Sequence, residues 1–203
     1  MGERSRTPTV VTRARSLGRT PLGVFWSLRR RYPQWWRASS PSEADPRPWP
    51  AGFDPARGIF GHNEVVIPRP PAEVFRALTD PSGWGQFYGT GGTITVVENP
   101  GPGGTLGLGS VFRWRPFASK HVSEVTRFEQ DRALGWTAKG KGSWVYHRWF
   151  LEPVPEGTRV ITEEIQTGWA VALAKPLMKK ALPAAHQAWL EGLKAHLTGA
   201  PLP

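Results

Sequence analysis

The stretch VYHRWFLEPVPEGTRVITEEIQTGW, residues 145–169, constrains this chain more than any other. Two runs rich in β-branched and aromatic residues flank a short interruption of Pro153, Pro155, Glu156 and Gly157, the pattern of a β-hairpin. Proline cannot donate to a strand ladder, and Glu-Gly is a turn dipeptide. With Glu152 and Thr158 as the last facing pair, His147 falls opposite Glu163, Trp149 opposite Ile161 and Leu151 opposite Arg159. Strand side chains alternate, so Val145, His147, Trp149 and Leu151 are expected to share a face with Ile161, Glu163 and Ile165. Glu164 is expected on the other face. A slip of two residues would keep His147 and Glu163 on one face but break the pair.

The rest of the chain builds outward from this hairpin. HNEVVIPRP reads as a strand stopped by prolines. PPAEVFRALTD reads as a short helix with Pro71 in its first turn and Val74, Phe75 and Leu78 as its apolar stripe. PSGWGQFYG reads as a turn or second short helix. Further strands are expected at TITVVE, SVFRWRP, KHVSEVTRFEQ and RALGWTAKG, separated by glycine-, proline- and acid-bearing turns. After Trp169, the residues Leu173, Leu177, Leu182, Trp189, Leu193 and Leu197 recur at roughly helical spacing. Pro176 and Pro183 predict a break or kink, a short piece followed by a long one, with Gly199 and Pro201 as stop signals. Strand, two helices, a run of antiparallel strands and a long helix make an α+β arrangement.

Charge divides the chain. Residues 1–60 hold eleven arginines, no lysine and four acids, whereas residues 61–203 carry fifteen basic and twelve acidic groups. Most of the formal +10 therefore belongs to the first segment and says little about the folded part. The first twenty residues are polar and arginine-rich, with a disordered composition. PLGVFWSLRRRYPQWWRA interleaves aromatics with arginines, and a short amphipathic helix from Pro21 to Arg31 is expected there. Residues 21–37 match an interfacial segment that would touch anionic membrane surfaces; a solvated tail or strap is the plainer reading. Nucleic acid is the weaker partner, because no recognised fold presents the segment. A proline-punctuated linker follows, and the expected domains are an extension over 1–60 and a folded unit over 61–203.

The chain has no cysteine, which excludes disulfides and thiolate metal sites and fits a reducing, cytoplasmic setting, with a membrane-peripheral one kept open. No apolar run approaches the ~20 residues of a spanning helix, and TPLGVFWSL is too short for a signal peptide. His62, His121, His147, His186 and His196 lack zinc-motif spacing, so no metal is expected. NPGPGGTLGLG lacks the Gly-Lys-Ser/Thr of a phosphate loop, and the serines show no nucleophile elbow. No cofactor is implied.

The element order, together with PAEVFRALTDPSGWGQFY, RFEQDRALGWT and HRWFLEPVPEGTRVITEE, resembles the SRPBCC or START-like superfamily over about residues 62–198. That superfamily includes polyketide cyclase/dehydrase-like and lipid-transfer proteins. The resemblance implies a helix-grip fold, a curved antiparallel sheet around a long C-terminal helix with an apolar cavity between them. Trp84, Phe87, Tyr88, Trp114, Trp136, Trp149, Leu177 and Trp189 are the candidate lining, and plain core packing is the competing reading. Burying about 300 Å2 of apolar ligand surface gives about 7 kcal/mol gross, whereas micromolar binding needs about 8 kcal/mol net. A polar anchor is therefore expected, and His147 with Glu163 is the candidate. His186 falls between Leu182 and Trp189, but a single helical histidine is more often structural. Two functions stay open: binding of a hydrophobic, lipid-like or polyketide-like molecule, or a cyclase/dehydratase reaction in which His147 takes a proton and Glu163 stabilises the imidazolium.

Overall fold

The computed structural model describes residues 47–88, 94–116 and 119–202. The expected helix at 21–31 and the membrane-facing segment 21–37 lie outside the described residues. Seven antiparallel strands form one open sheet: β1 (Ile59–Ile67), β2 (Thr95–Glu98), β3 (Val111–Trp114), β4 (His121–Glu129), β5 (Ala133–Gly140), β6 (Ser143–Val154) and β7 (Gly157–Thr167), in the order β1-β7-β6-β5-β4-β3-β2. Among the described residues three α-helices accompany them: α1 (Pro71–Thr79), α2 (Trp84–Phe87) and α3 (Trp169–Thr198). This is the expected α+β helix-grip fold. Among the described residues no helix is long and apolar enough to cross a membrane.

The local causes are readable. Pro71 opens α1, and Val74, Phe75 and Leu78 bury its inner stripe. The helix α3 lies along β1 and reaches β6 and β7, while α2 supports it from the side. There Gly192 is required, because a Cβ on it would stand 2.2 Å from the Phe87 carbonyl oxygen.

Two expectations about secondary structure are corrected. The C-terminal helix is one continuous run of 30 residues with Pro176 and Pro183 inside it. The carbonyls those prolines cannot bond belong to Ala172 and Lys179, both exposed residues at which solvent can take the place of the lost bond, so the helix need not break. The hairpin register is also off by one residue. Val154 faces Gly157, His147 faces Glu164 and Arg148 faces Glu163. The strand runs on through Pro153, for a simple reason. Leu151 donates its N–H to Arg132 O on the β5 side, so the nitrogen of Pro153 points the same way, past the end of β5.

A slip of one residue turns every β7 side chain over. Ile161, Glu163 and Ile165 therefore lie on the outer face with Tyr146, Arg148 and Phe150, and Glu164 lies on the inner face with His147. That outer face is buried by residues preceding β1. The Trp49 ring sits 3.6 Å from the Arg148 guanidinium, makes an edge contact with Phe60, and meets Tyr146, which also contacts Phe53. Beneath Trp49, Arg148 binds Glu163 Oε2 at 2.7 and 2.9 Å, and His62 Nδ1 lies 3.0 Å from Glu163 Oε1. Glu163 is a structural carboxylate.

The boundary expected at residue 60 falls inside β1, whose first residue, Ile59, is buried beneath α3 with Val171 and Leu182. A chain trimmed to start at Gly61 should therefore melt well below one starting at Arg47, losing on the order of 3 kcal/mol from Ile59 burial and the Trp49 cover. Equal melting of the two chains would place the domain start where the charge pattern put it.

Candidate functional site

The inner face of the sheet carries an aromatic layer and, beside it, a small polar cluster. Val145, His147, Trp149 and Leu151 alternate inward along β6, with Leu134, Trp136 and Ala138 from β5 and Phe112 and Trp114 from β3. Trp84 arrives from α2, Tyr88 from the residue after it, and Trp189 from α3. These rings meet mainly edge-on or tilted: Trp84 lies 5.2 Å from Trp189 and 5.9 Å from Trp136 and Phe112, and Tyr88 lies 4.1 Å from Trp189. Such geometry suits the ring quadrupoles. Phe87 belongs to the same core and also meets the His196 ring. Seven of the eight candidate lining residues are thus brought together, all buried. Leu177 is not among them: it is 45% exposed, because α3 turns Val171, Met178 and Leu182 inward at that level instead.

Two of the indoles have ordinary acceptors. Trp84 Nε1 donates to Leu78 O and Trp114 Nε1 to Ser123 Oγ. Trp136, Trp149 and Trp189 do not: their buried Nε1–H groups meet no acceptor among the described residues. Each such donor costs about 1–3 kcal/mol.

The polar cluster adjoins these three rings. His147 Nδ1 is 2.9 Å from Glu164 Oε2, and its Nε2 is 2.7 Å from Thr162 Oγ1. His186, from α3, places Nε2 3.5 Å from the same Glu164 oxygen and stacks on His147 at 4.9 Å between ring centroids. Gln166 Nε2 donates to Glu164 Oε1. Position 61, facing Glu164 across β1 and β7, is glycine; a Cβ there would crowd Leu182 at 3.1 Å and His186 at 3.4 Å. Its absence lets α3 seat His186 on the carboxylate. The rings of Trp136, Trp149 and Trp189 surround His147 at 4.7, 5.1 and 5.7 Å.

Electrostatics follow from burial. Removal from water pushes the His147 imidazole below its ordinary 6.5, and the attraction of Glu164 only partly offsets this. For Glu164, burial alone would raise the carboxyl; the interactions with the His147 imidazole, then with that of His186, outweigh it and hold Glu164 below the usual carboxylate range. The result is a buried carboxylate beside a largely neutral imidazole, which can accept a proton near neutral pH.

His147, Glu164 and His186 also bring their donor atoms within 4.8 Å of one another, a set of two imidazoles and one carboxylate that could hold a metal ion. The two rings lie nearly parallel, 23° apart, so their lone pairs run side by side and one ring would have to turn to share an ion. Sequence spacing could not show this set, since its members come from β6, β7 and α3. A separate surface cleft of about 220 Å3, lined by Glu73, Arg76, Asp80 and His196, lies between α1 and the end of α3.

The expected partner of His147, Glu163, is on the opposite face and bound to Arg148; Glu164 takes its place. Glu164 is missed by the sequence reading, which puts it on the other face; His186, framed by Leu182 and Trp189 and able to face the interior, is weighed there as structural but lies on Glu164. Arg113, which could have added a polar group, points outward from β3 and is exposed.

Comparison with known proteins agrees with the fold. The family model described as polyketide cyclase/dehydrase and lipid transport matches residues 62–198. A hypothetical protein from Helicobacter pylori is 30% identical, with a TM-score of 0.65 over 78% of this chain and 99% of that one. KanY is 22% identical, with a TM-score of 0.55 over 70% of this chain and 99% of its own. DynU16, a protein from the dynemicin biosynthetic locus, is 21% identical with a TM-score of 0.53, over 70% of this chain and 49% of its own. No curated protein matches.

The site predicts a pH effect with a definite sign. The unfolded chain binds a proton at His147 below about 6.5, while the folded chain resists it, so stability is intact above 6.5 and falls as pH drops. Glu164 adds a second loss below its ordinary 4.5. Between pH 7 and 5, H147Q should flatten the fall in unfolding free energy by up to about 1.4 kcal/mol per pH unit. Parallel curves for the two proteins in urea melts would show that His147 titrates normally.

Proposed function

Because the chain belongs to the polyketide cyclase/dehydrase and lipid transport family, we propose that its interior binds a hydrophobic small molecule bearing oxygen acceptors. The aromatic rings would take its apolar body, and His147, Glu164 and His186 would hold its polar end. The observation that carries this reading is the trio of unpartnered indole donors on Trp136, Trp149 and Trp189 beside a buried ionised carboxylate. A core that only packs would gain stability from phenylalanine or leucine at those positions. A ligand with carbonyl or hydroxyl oxygens would supply the acceptors those donors need. This favours an oxygenated, polyketide-like ring system over a plain acyl chain.

The packing also suggests where such a ligand fits. The helix α3 rests on β1, α2, β6 and β7. The space between it and β3–β5 is spanned by side chains, chiefly Trp84, Trp114 and Trp136. Parting those rings opens the interior without breaking a backbone ladder.

A second reading, a cyclase or dehydratase reaction, has one observation in its favour. His147 is held neutral next to a carboxylate that can stabilise the imidazolium once a proton is taken from carbon alpha to a carbonyl. Glu164 takes the role first given to Glu163. The binding reading is preferred: Arg113 faces away from the cluster, although Tyr88, the other polar group that would help catalysis, reaches Trp189 in the aromatic layer.

Titration with a hydroxyanthraquinone and, separately, with palmitate tests the reading. The anthraquinone should quench tryptophan emission saturably at micromolar concentration and palmitate more weakly. W149F, which keeps an aromatic ring but removes the N–H and part of the indole, should weaken the anthraquinone at least about tenfold, as expected for one lost hydrogen bond, while the smaller ring costs some stability at this buried position. Failure of both compounds to saturate would leave the tryptophans as core filling. Loss of turnover with retained binding in H147Q, for an anthraquinone precursor that the protein converts, would instead favour the enzyme.

A further inference from the structure

The first turns of α3 are inside out. Trp169, Ala172, Leu173, Pro176 and Leu177 recur at the spacing of a single helical face, yet all five are exposed; Leu173 is 79% exposed and Trp169 58%. The buried face at this level is held by Val171, Met178 and Leu182 against Ile59. Trp144, 44% exposed at the start of β6, extends the patch. Its ring lies where a side chain on Gly168 would stand, as the Trp169 ring does at Gly142. The end of the β5–β6 hairpin and the start of α3 thus stand together, each with exposed apolar side chains.

The border of this surface carries one sign of charge. Lys175, Lys179 and Lys180 flank it on α3, and Lys139 and Lys141 flank it on the β5–β6 turn, which accounts for five of the chain's seven lysines. The sequence holds no carboxylate from Ile165 to Leu190 or from Arg132 to Leu151. An exposed apolar stripe with tryptophans and a lysine rim is complementary to one environment in particular, the headgroup layer of an anionic membrane. Indoles favour that depth, and lysines reach phosphate while their stems stay in the apolar layer. A second copy of the chain is a poorer occupant, because face-to-face pairing would bring five lysines of each copy together without a counter-charge on these segments.

We propose that the face formed by Trp144, Trp169, Leu173 and Leu177 docks on anionic lipid bilayers, with the lysine rim on the headgroups. The proposal rests on α3 and the β5–β6 turn, separate from the interior site and from the arginine-rich residues 1–46.

Cosedimentation of the full chain with phosphatidylcholine vesicles, with and without phosphatidylglycerol, at low and high salt, tests it. Wild type should bind the anionic vesicles and be released by salt. L173E/L177E should bind at least about tenfold more weakly, K179E/K180E should lose the preference for anionic lipid, and both should melt like wild type. Because the chain has no cysteine, L173C can carry a single environment-sensitive dye, whose emission should shift to the blue on anionic vesicles. Binding of both double variants equal to wild type would assign attachment to another segment and overturn the proposal. So would a wild type that ignores vesicles, a dye that does not shift, or a wild-type dimer that L173E/L177E dissolves.

Discussion

Two neighbouring carboxylates on one buried strand hold this architecture to a single register. Glu163 and Glu164 point to opposite faces of β7, and neither reaches solvent to a useful extent. Each must therefore be neutralised from its own side. On the outer face Arg148 and His62 meet Glu163 under the Trp49 ring; on the inner face His147 and His186 meet Glu164. Sliding β7 by one residue would bring one glutamate into the other's place and leave the second buried without its partners, a cost of several kcal/mol for an unpaired buried ion. Backbone pairing alone supplies no such discrimination.

The same arrangement shapes the inner site. With Glu164 fixed, Gly61 opposite it opens the room in which α3 brings His186 onto the carboxylate, and the helix carries Trp189 into the aromatic layer. A neutral imidazole, an ionised carboxylate and three unpartnered indole donors then share one water-poor volume. In such surroundings polar contacts to a ligand are strong and unsatisfied ones are expensive. That combination separates this interior from an ordinary hydrophobic core.

The order of elements was plain in the sequence, because alternation, helical spacing and turn residues all agreed. That the aromatics from Trp84 to Trp189 would be buried together was legible for the same reason. What the sequence hid were contests between two nearly equal patterns. Pro153 looked like the end of β6, but its nitrogen faces a side that β5 no longer occupies, so the strand and its register run on. Near the start of α3 two apolar stripes compete, Leu173 with Leu177 and Val171 with Met178 and Leu182, and only the position of Ile59 on β1 decides which turns inward. His186 could not be weighed from its own helix, since its meaning comes from Glu164 two elements away.

The central claim is that Glu164, and not Glu163, governs His147. Long-range 1H–15N spectra of the histidine side chains test it most directly, recorded on wild type, E163Q and E164Q under folded conditions. The account predicts a His147 imidazole that protonates at lower pH than an ordinary histidine, shifts of His147 and His186 in E164Q, and shifts of His62 in E163Q. An E163Q spectrum that moves His147 while E164Q leaves it in place would contradict the account.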